Sequence, residues 1–150
     1  MLRFRNTFTT ITIFLLIFLW VYTAIHKLVN IEYNVAVLKR SPFLNSFSHV
    51  LAVVIPLAEL IAAGLLLSTL TRQKGLYMSL ILLLIFSLYI ITAMLFASWL
   101  PCTCGGIIES LTWNQHLVFN STFIIATALS IKYNSLNALQ SGSSRKPVTE

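Results

Sequence analysis

The sequence predicts an all-α fold, an integral membrane four-helix bundle with both termini on the cytoplasmic side, and three observations carry that expectation. The first is composition: 57% of the 150 residues are apolar and 9% are charged, with a mean hydropathy of +0.86, whereas soluble domains carry charge on about a quarter of their residues. The second is where the charges fall. They sit in clumps separated by four long gaps: Arg5 to His26, His49 to Arg72 with Glu59 as its one charge, Lys74 to Glu109, and Glu109 to Lys132 with His116 as its one titratable group. Each gap holds the roughly 20 apolar residues that a bilayer-crossing helix needs. The third is the bias of Lys and Arg. With the N-terminus inside, Arg3, Arg5, Arg72, Lys74, Lys132, Arg145 and Lys146 lie on the cytoplasmic side, seven of the ten, and Lys27, Lys39 and Arg40 lie outside, as the positive-inside rule requires. The net charge of +6 is accounted for by this topology, and no basic-aromatic pattern calls for nucleic acid.

The spans are expected near residues 8–29, 50–70, 76–98 and 111–131, making residues 1–132 one membrane domain, with 133–150 as a disordered cytoplasmic tail rich in Asn, Ser and Gly. Met1-Leu-Arg-Phe-Arg5 before an apolar run is like the start of a signal peptide. The run extends about 18 residues and no Ala-x-Ala site follows, so it is read as a retained first helix. On that helix Trp20, Thr23 and Lys27 share a face and His26 lies off it; Trp20 and Tyr22 are read as lipid-facing or packing aromatics. Residues 30–48 form an outer segment with a turn at Ser41-Pro42, and Phe43 and Phe47 suggest that it lies along the membrane interface, where it could cover the mouth of the bundle.

The second span carries Pro56 and Glu59, with Ala52 and Ala63 on the face of the acid. Small residues let a neighbouring helix approach, and the proline frees a carbonyl. An intramembrane acid is costly enough to be a functional candidate by default. The competing reading is a hydrogen-bonded packing role, and Lys27 is the nearest candidate cation. Residues 71–75 are a short inner turn that makes spans two and three antiparallel neighbours, and Ser79, Ser87, Tyr89 and Thr92 on the third span suit back-bonding or helix contacts. On the fourth span Glu109, Trp113, His116, Asn120 and Thr127 fall within about 40° of one direction at 100° per residue, a polar stripe that must face protein or water. Counted from the outer boundary at about 1.5 Å per residue, Lys27 lies about 4 Å down, His116 about 8 Å, and Glu59 and Asn120 about 14 Å.

Above that stripe stands Pro101-Cys102-Thr103-Cys104-Gly105-Gly106, which holds both cysteines and two of the five glycines. Two cysteines one residue apart are a metal half-site, a dithiol/disulfide couple, or two small apolar residues in a loop. A structural zinc takes about four N or S ligands; there is no second Cys pair, and His26, His49 and His116 are scattered, so no metal is expected. A Cys-x-Cys ring is close to the limit of disulfide geometry and therefore strained and readily reduced. Pro101 on one side and Gly105 and Gly106 on the other supply backbone restraint and freedom for the turn. The expected outer location is where disulfides persist.

The combination of Lys27 closing the first helix, Pro56-Leu-Ala-Glu59-Leu opening the second, and Cys102-Thr-Cys104-Gly-Gly before the fourth resembles the MauE proteins of methylamine utilisation and the wider DoxX-like membrane proteins, over residues 8–131. The loop differs from the usual Cys-Gly-Cys-Phe-Gly, and the fourth helix has His116-Leu-Val-Phe-Asn120 in place of an Arg-Asn pair, which suggests a Cys-Thr-Cys-Gly-Gly subgroup. The resemblance implies a bacterial inner-membrane protein, its Cys loop periplasmic, that works with thioredoxin-like periplasmic partners. The architecture is also similar to that of quinone-linked thiol oxidases, which makes a quinone a candidate cofactor.

Two functions are carried forward. In one, a thiol-disulfide oxidoreductase exchanges equivalents between Cys102/Cys104 and a thioredoxin-like partner, with Lys27, Glu59, Glu109, Trp113, His116 and Asn120 as a supporting polar site. In the other, a non-enzymatic membrane subunit or assembly factor, in a homo-oligomer or larger complex, uses the Cys pair to staple its loop. A small-solute transporter ranks third, because one buried acid among four helices leaves little room for alternating access.

Overall fold

The structure is a computed structural model and describes residues 2–40, 45–96 and 113–143. These residues form helix α1 (Leu2–Val29), α2 (Ile31–Arg40), a 3-10 turn at Asn45–Phe47, α3 (Ser48–Leu67), α4 (Arg72–Phe96) and α5 (Trp113–Ser143). Three stretches among them are long and apolar enough to cross a membrane: Arg3–Val29, Asn45–Leu67 and Arg72–Thr92. The polar residues Asn114, Gln115, His116 and Asn120 dilute the apolar character of α5, the helix that the charge gaps assign to a fourth crossing.

α1 packs on α3 and α5, and α4 packs on the same two helices, so the four long helices close into a ring. Contacts fix their directions. The end of α1 meets the middle of α3 through Lys27 and Glu59, while its start meets the end of α5 through Arg5 and Tyr133. We call the end of the bundle where α1 finishes and α5 begins distal, and the end where the chain starts proximal.

Each long helix reveals its buried stripe in the sequence. On α3 it is Ser48, Ala52, Pro56, Glu59, Ala63 and Leu66, steps of three and four residues that keep one face turned to a neighbour. Small side chains on that stripe allow the close approach of α1, where Ile13, Leu16, Trp20 and Ala24 are buried. Leu76, Leu83 and Ile90 do the same on α4. The opposite faces present Phe14, Phe18, Ile61, Ile81 and Leu88, each more than half exposed, which suits hydrocarbon and not water. Hydroxyls on the buried faces return to the carbonyl one turn back, as Thr12, Ser87 and Thr127 do at 3.0, 2.8 and 2.7 Å.

The α3–α4 connection is as tight as the sequence suggests. Gly75 donates its amide to Thr71 O at 3.0 Å, and a Cβ there would stand 2.9 Å from the Leu66 backbone nitrogen, so this crossing admits only glycine without a backbone shift.

The segment after α1 is a ten-residue helix, α2, packed on α3 with Asn34, Val37 and Leu38 buried; Ser41, Pro42 and Phe43 lie outside the described residues. One element differs from expectation. At the other end of the chain, α5 continues to Ser143. Residues 133–143 are therefore helical where a disordered tail was expected. Lys132 is an exposed charge but no helix breaker, and Asn134-Ser-Leu-Asn-Ala-Leu-Gln contains neither proline nor glycine.

Candidate functional site

The distal half of the bundle encloses a polar cluster in otherwise apolar surroundings. Lys27, two residues from the end of α1, is placed by helical spacing below Trp20 and Thr23, and all three are buried. Its ammonium pairs with Glu59 Oε1, and the Glu59 side chain is completely buried. The same ammonium stands 4.7 Å from the centroid of the Phe86 ring on α4, a cation–π contact that gains strength where water is excluded. A lone charge would not survive here; the pair persists because each ion neutralises the other.

α2 contributes from the outside. Asn34 donates from Nδ2 to the carbonyl of Lys27 at 2.8 Å, satisfying one of the carbonyls that a helix C-terminus leaves open. The backbone carrying the ammonium is thus latched in place. Across the bundle Trp20 donates from Nε1 to Ser79 Oγ at 2.9 Å, a buried bond that joins α1 to α4.

α5 closes the cluster. His116 and Asn120, one turn apart, are 1% and 8% exposed, and both line a cavity of about 40 Å³ together with Thr23, Lys27, Glu59 and Phe86. Glu59 Oε2 is buried and has no hydrogen-bond partner among the described residues. A water in a cavity needs about 10–15 Å³, so this one has room for a few waters beside that oxygen.

Of the residues singled out from sequence, Lys27, Glu59, His116 and Asn120 are brought to one cavity. Trp113 opens α5 one turn before His116, and its side chain lies outside what is described. Pro101, Cys102, Cys104, Gly105, Gly106 and Glu109 fall outside the described residues. Trp20, Thr23, Ser79 and Phe86 belong to the cluster and were missed as site residues. A signal existed for two of them, because Trp20 and Thr23 share the helical face of Lys27. Ser79 had none, being one of several hydroxyls on an apolar helix.

A family model described as methylamine utilisation protein MauE matches residues 5–133 of the chain. No curated protein and no solved structure matches it.

Proposed function

The chain belongs to the MauE family, and from that premise we propose a membrane component of methylamine utilisation that exchanges thiol/disulfide equivalents between Cys102/Cys104 and a thioredoxin-like partner. In this reading α5 is a fourth crossing, both termini are cytoplasmic, and the Cys segment faces the periplasm of a bacterial inner membrane. The supporting observation is the position of the buried Lys27–Glu59 pair. The segment that bears the cysteines joins the end of α4 to the start of α5, at the distal end where Lys27, Glu59, His116 and Asn120 gather around one cavity.

The chemistry is balanced by the partner alone. A partner thiolate attacks one sulfur of the Cys102–Cys104 disulfide and releases the other as a thiolate; the second partner thiol then resolves the mixed disulfide. Two electrons and two protons pass to this chain and the partner is left oxidised, and the reverse sequence runs the other way. Cys104, the nearer of the two in sequence to the start of α5, is taken as the sulfur that exchanges with the partner. The polar cluster positions the segment: the ion pair ties the end of α1 to the middle of α3, and the Asn34 latch ties α2 to α1, beside the cavity that His116 and Asn120 of α5 line. The exchange as written needs no quinone; a membrane quinone is the proposed acceptor for electrons that leave the reduced Cys102/Cys104 pair.

One observation favours the second reading, a non-enzymatic subunit with a stapled loop: the two buried charges of the cluster neutralise each other. Trapping separates the two. A Cys102→Ser variant should accumulate a mixed disulfide with a thioredoxin-like protein while Cys104→Ser should not, and a membrane-impermeant thiol reagent should label the pair from the periplasmic side only after mild reduction. A pair that stays oxidised under mild reduction, with no adduct from either variant, would leave the staple as the function.

A further inference from the structure

The proximal end of the bundle holds positive charge that the described residues do not neutralise. Arg5 on α1 lies with its Cζ 5.1 Å from the centroid of the Tyr133 ring. The next residue, Asn134, donates to Gln73 Oε1 at 2.5 Å, and Gln73 adjoins Arg72 at the start of α4. Arg5 and the first turn of α4, which carries Arg72, thus meet the same turn of α5. Among the described residues, Arg5 Nε and Nη2 and Arg72 Nε are buried without a hydrogen-bond partner, and so are Thr9 Oγ1 and Ser130 Oγ. Thr9 lies one turn beyond Arg5 and Ser130 one turn before Asn134, and these two residues are 7% and 0% exposed.

Hydroxyls on membrane helices ordinarily bond to the preceding turn, as Thr12, Ser87 and Thr127 do in this bundle. Two that do not, beside two guanidiniums with open donors, make a concentrated donor set. Leaving buried donors unmet is costly, most of all on a charged group. No described carboxylate is at hand. Glu32 stands in the first turn of α2, and Glu59 is held by Lys27; both lie toward the distal end. Arg5 and Arg72 sit at the ends of the apolar windows of α1 and α4, beside the exposed apolar side chains of Phe4 and Leu70. That is the depth of lipid headgroups.

We propose that Arg5, Thr9, Arg72 and Ser130 form a site for the phosphate group of an anionic phospholipid, entered between α1, α4 and α5. A guanidinium presents paired donors that match phosphate oxygens, hydroxyls fill the remaining acceptor positions, and basic pockets between membrane helices are known headgroup sites.

The test uses the full chain purified in detergent and titrated with phosphatidylglycerol, phosphatidylcholine or inorganic phosphate, reading retained lipid by native mass spectrometry and the midpoint of thermal unfolding. Phosphatidylglycerol should be retained and should raise the midpoint, and the other two should not. Arg5→Gln and Arg72→Gln should each weaken its apparent affinity about fivefold, the contribution of one basic residue at an anionic surface, while Arg3→Gln, which alters an exposed arginine, should leave it unchanged. Should Arg5→Gln fail to fold, Arg72→Gln and Thr9→Val carry the test. An equal response to inorganic phosphate would replace the lipid with a free oxyanion, an equal loss in Arg3→Gln would reduce the effect to diffuse surface charge, and no response to phosphatidylglycerol would remove the site.

Discussion

Two regions of this bundle bury positive charge, and they manage it in opposite ways. At the distal end Lys27 meets Glu59, stands over Phe86 and has its carbonyl latched by Asn34, so the charge is settled inside the protein and the cavity left over is water-sized. At the proximal end Arg5 meets the face of Tyr133, and three guanidinium nitrogens of Arg5 and Arg72 have no hydrogen-bond partner among the described residues. The difference is one of where the counter-charge comes from. A self-neutralised cluster can hold a fold or position a loop without any other molecule. An open basic site depends on what surrounds it.

The largest effects should follow from opening the closed region. Lys27→Met or Glu59→Leu alone leaves one uncompensated charge in an apolar interior, and each should cost about 3–5 kcal/mol of unfolding free energy. The double variant removes both charges and should recover most of that loss. Denaturant unfolding in detergent micelles measures all three. If each single variant cost as little as the double, the two charges would be independently solvated and the contrast between the two ends would collapse.

What the sequence made legible follows from which signals are one-dimensional. Charge gaps and the steps of three and four residues can be read along a single helix, so the helices α1, α3 and α4, the buried face of Glu59 and the stripe of His116 and Asn120 were accessible. The short α2 had its signal too, in the spacing of Asn34, Val37 and Leu38, but Ser41-Pro42 drew attention to a turn. Pairings between helices are not written in either partner. Lys27 could be matched to Glu59 only because the chain has so few charges to choose from, whereas Ser79 could not be matched to Trp20, since nothing distinguishes it from Ser87, which bonds its own helix. The open donors of Arg5 and Arg72 were hidden for a related reason: flanking arginines were read as topology signals, and their burial depends on where the far end of α5 lies.

A smaller effect should come from the bond that ties α1 to α4 in the closed region. Hydrogen bonds between membrane helices average about 0.6 kcal/mol and reach about 1.7. The Trp20–Ser79 bond is buried at 2.9 Å between residues that are 2% and 0% exposed. A double-mutant cycle of Trp20→Phe and Ser79→Ala should give a coupling toward the upper part of that range. A coupling near zero would mean that the indole is held by packing alone, against Phe86, whose ring lies 6.2 Å away.

The smallest effect belongs to the corresponding bond of the open region, Asn134 to Gln73. It also joins two helices, α5 to α4, but its groups are only part-buried, and near the end of the bundle water and headgroups compete for both amides. A cycle of Gln73→Ala and Asn134→Ala should therefore give no more than about 0.6 kcal/mol in detergent. Its dependence on lipid is the more informative measurement. This bond sets the distance between Arg72 and the turn of α5 that faces Arg5, so a bound phosphate should hold the same two helices together and the coupling should rise when phosphatidylglycerol is added. The Trp20–Ser79 coupling, measured in the same samples, should stay constant, because both of its groups are buried inside the bundle, away from a lipid bound at the proximal end. If both couplings rose together, the lipid would be tightening the whole bundle and the proximal site would have no separate standing.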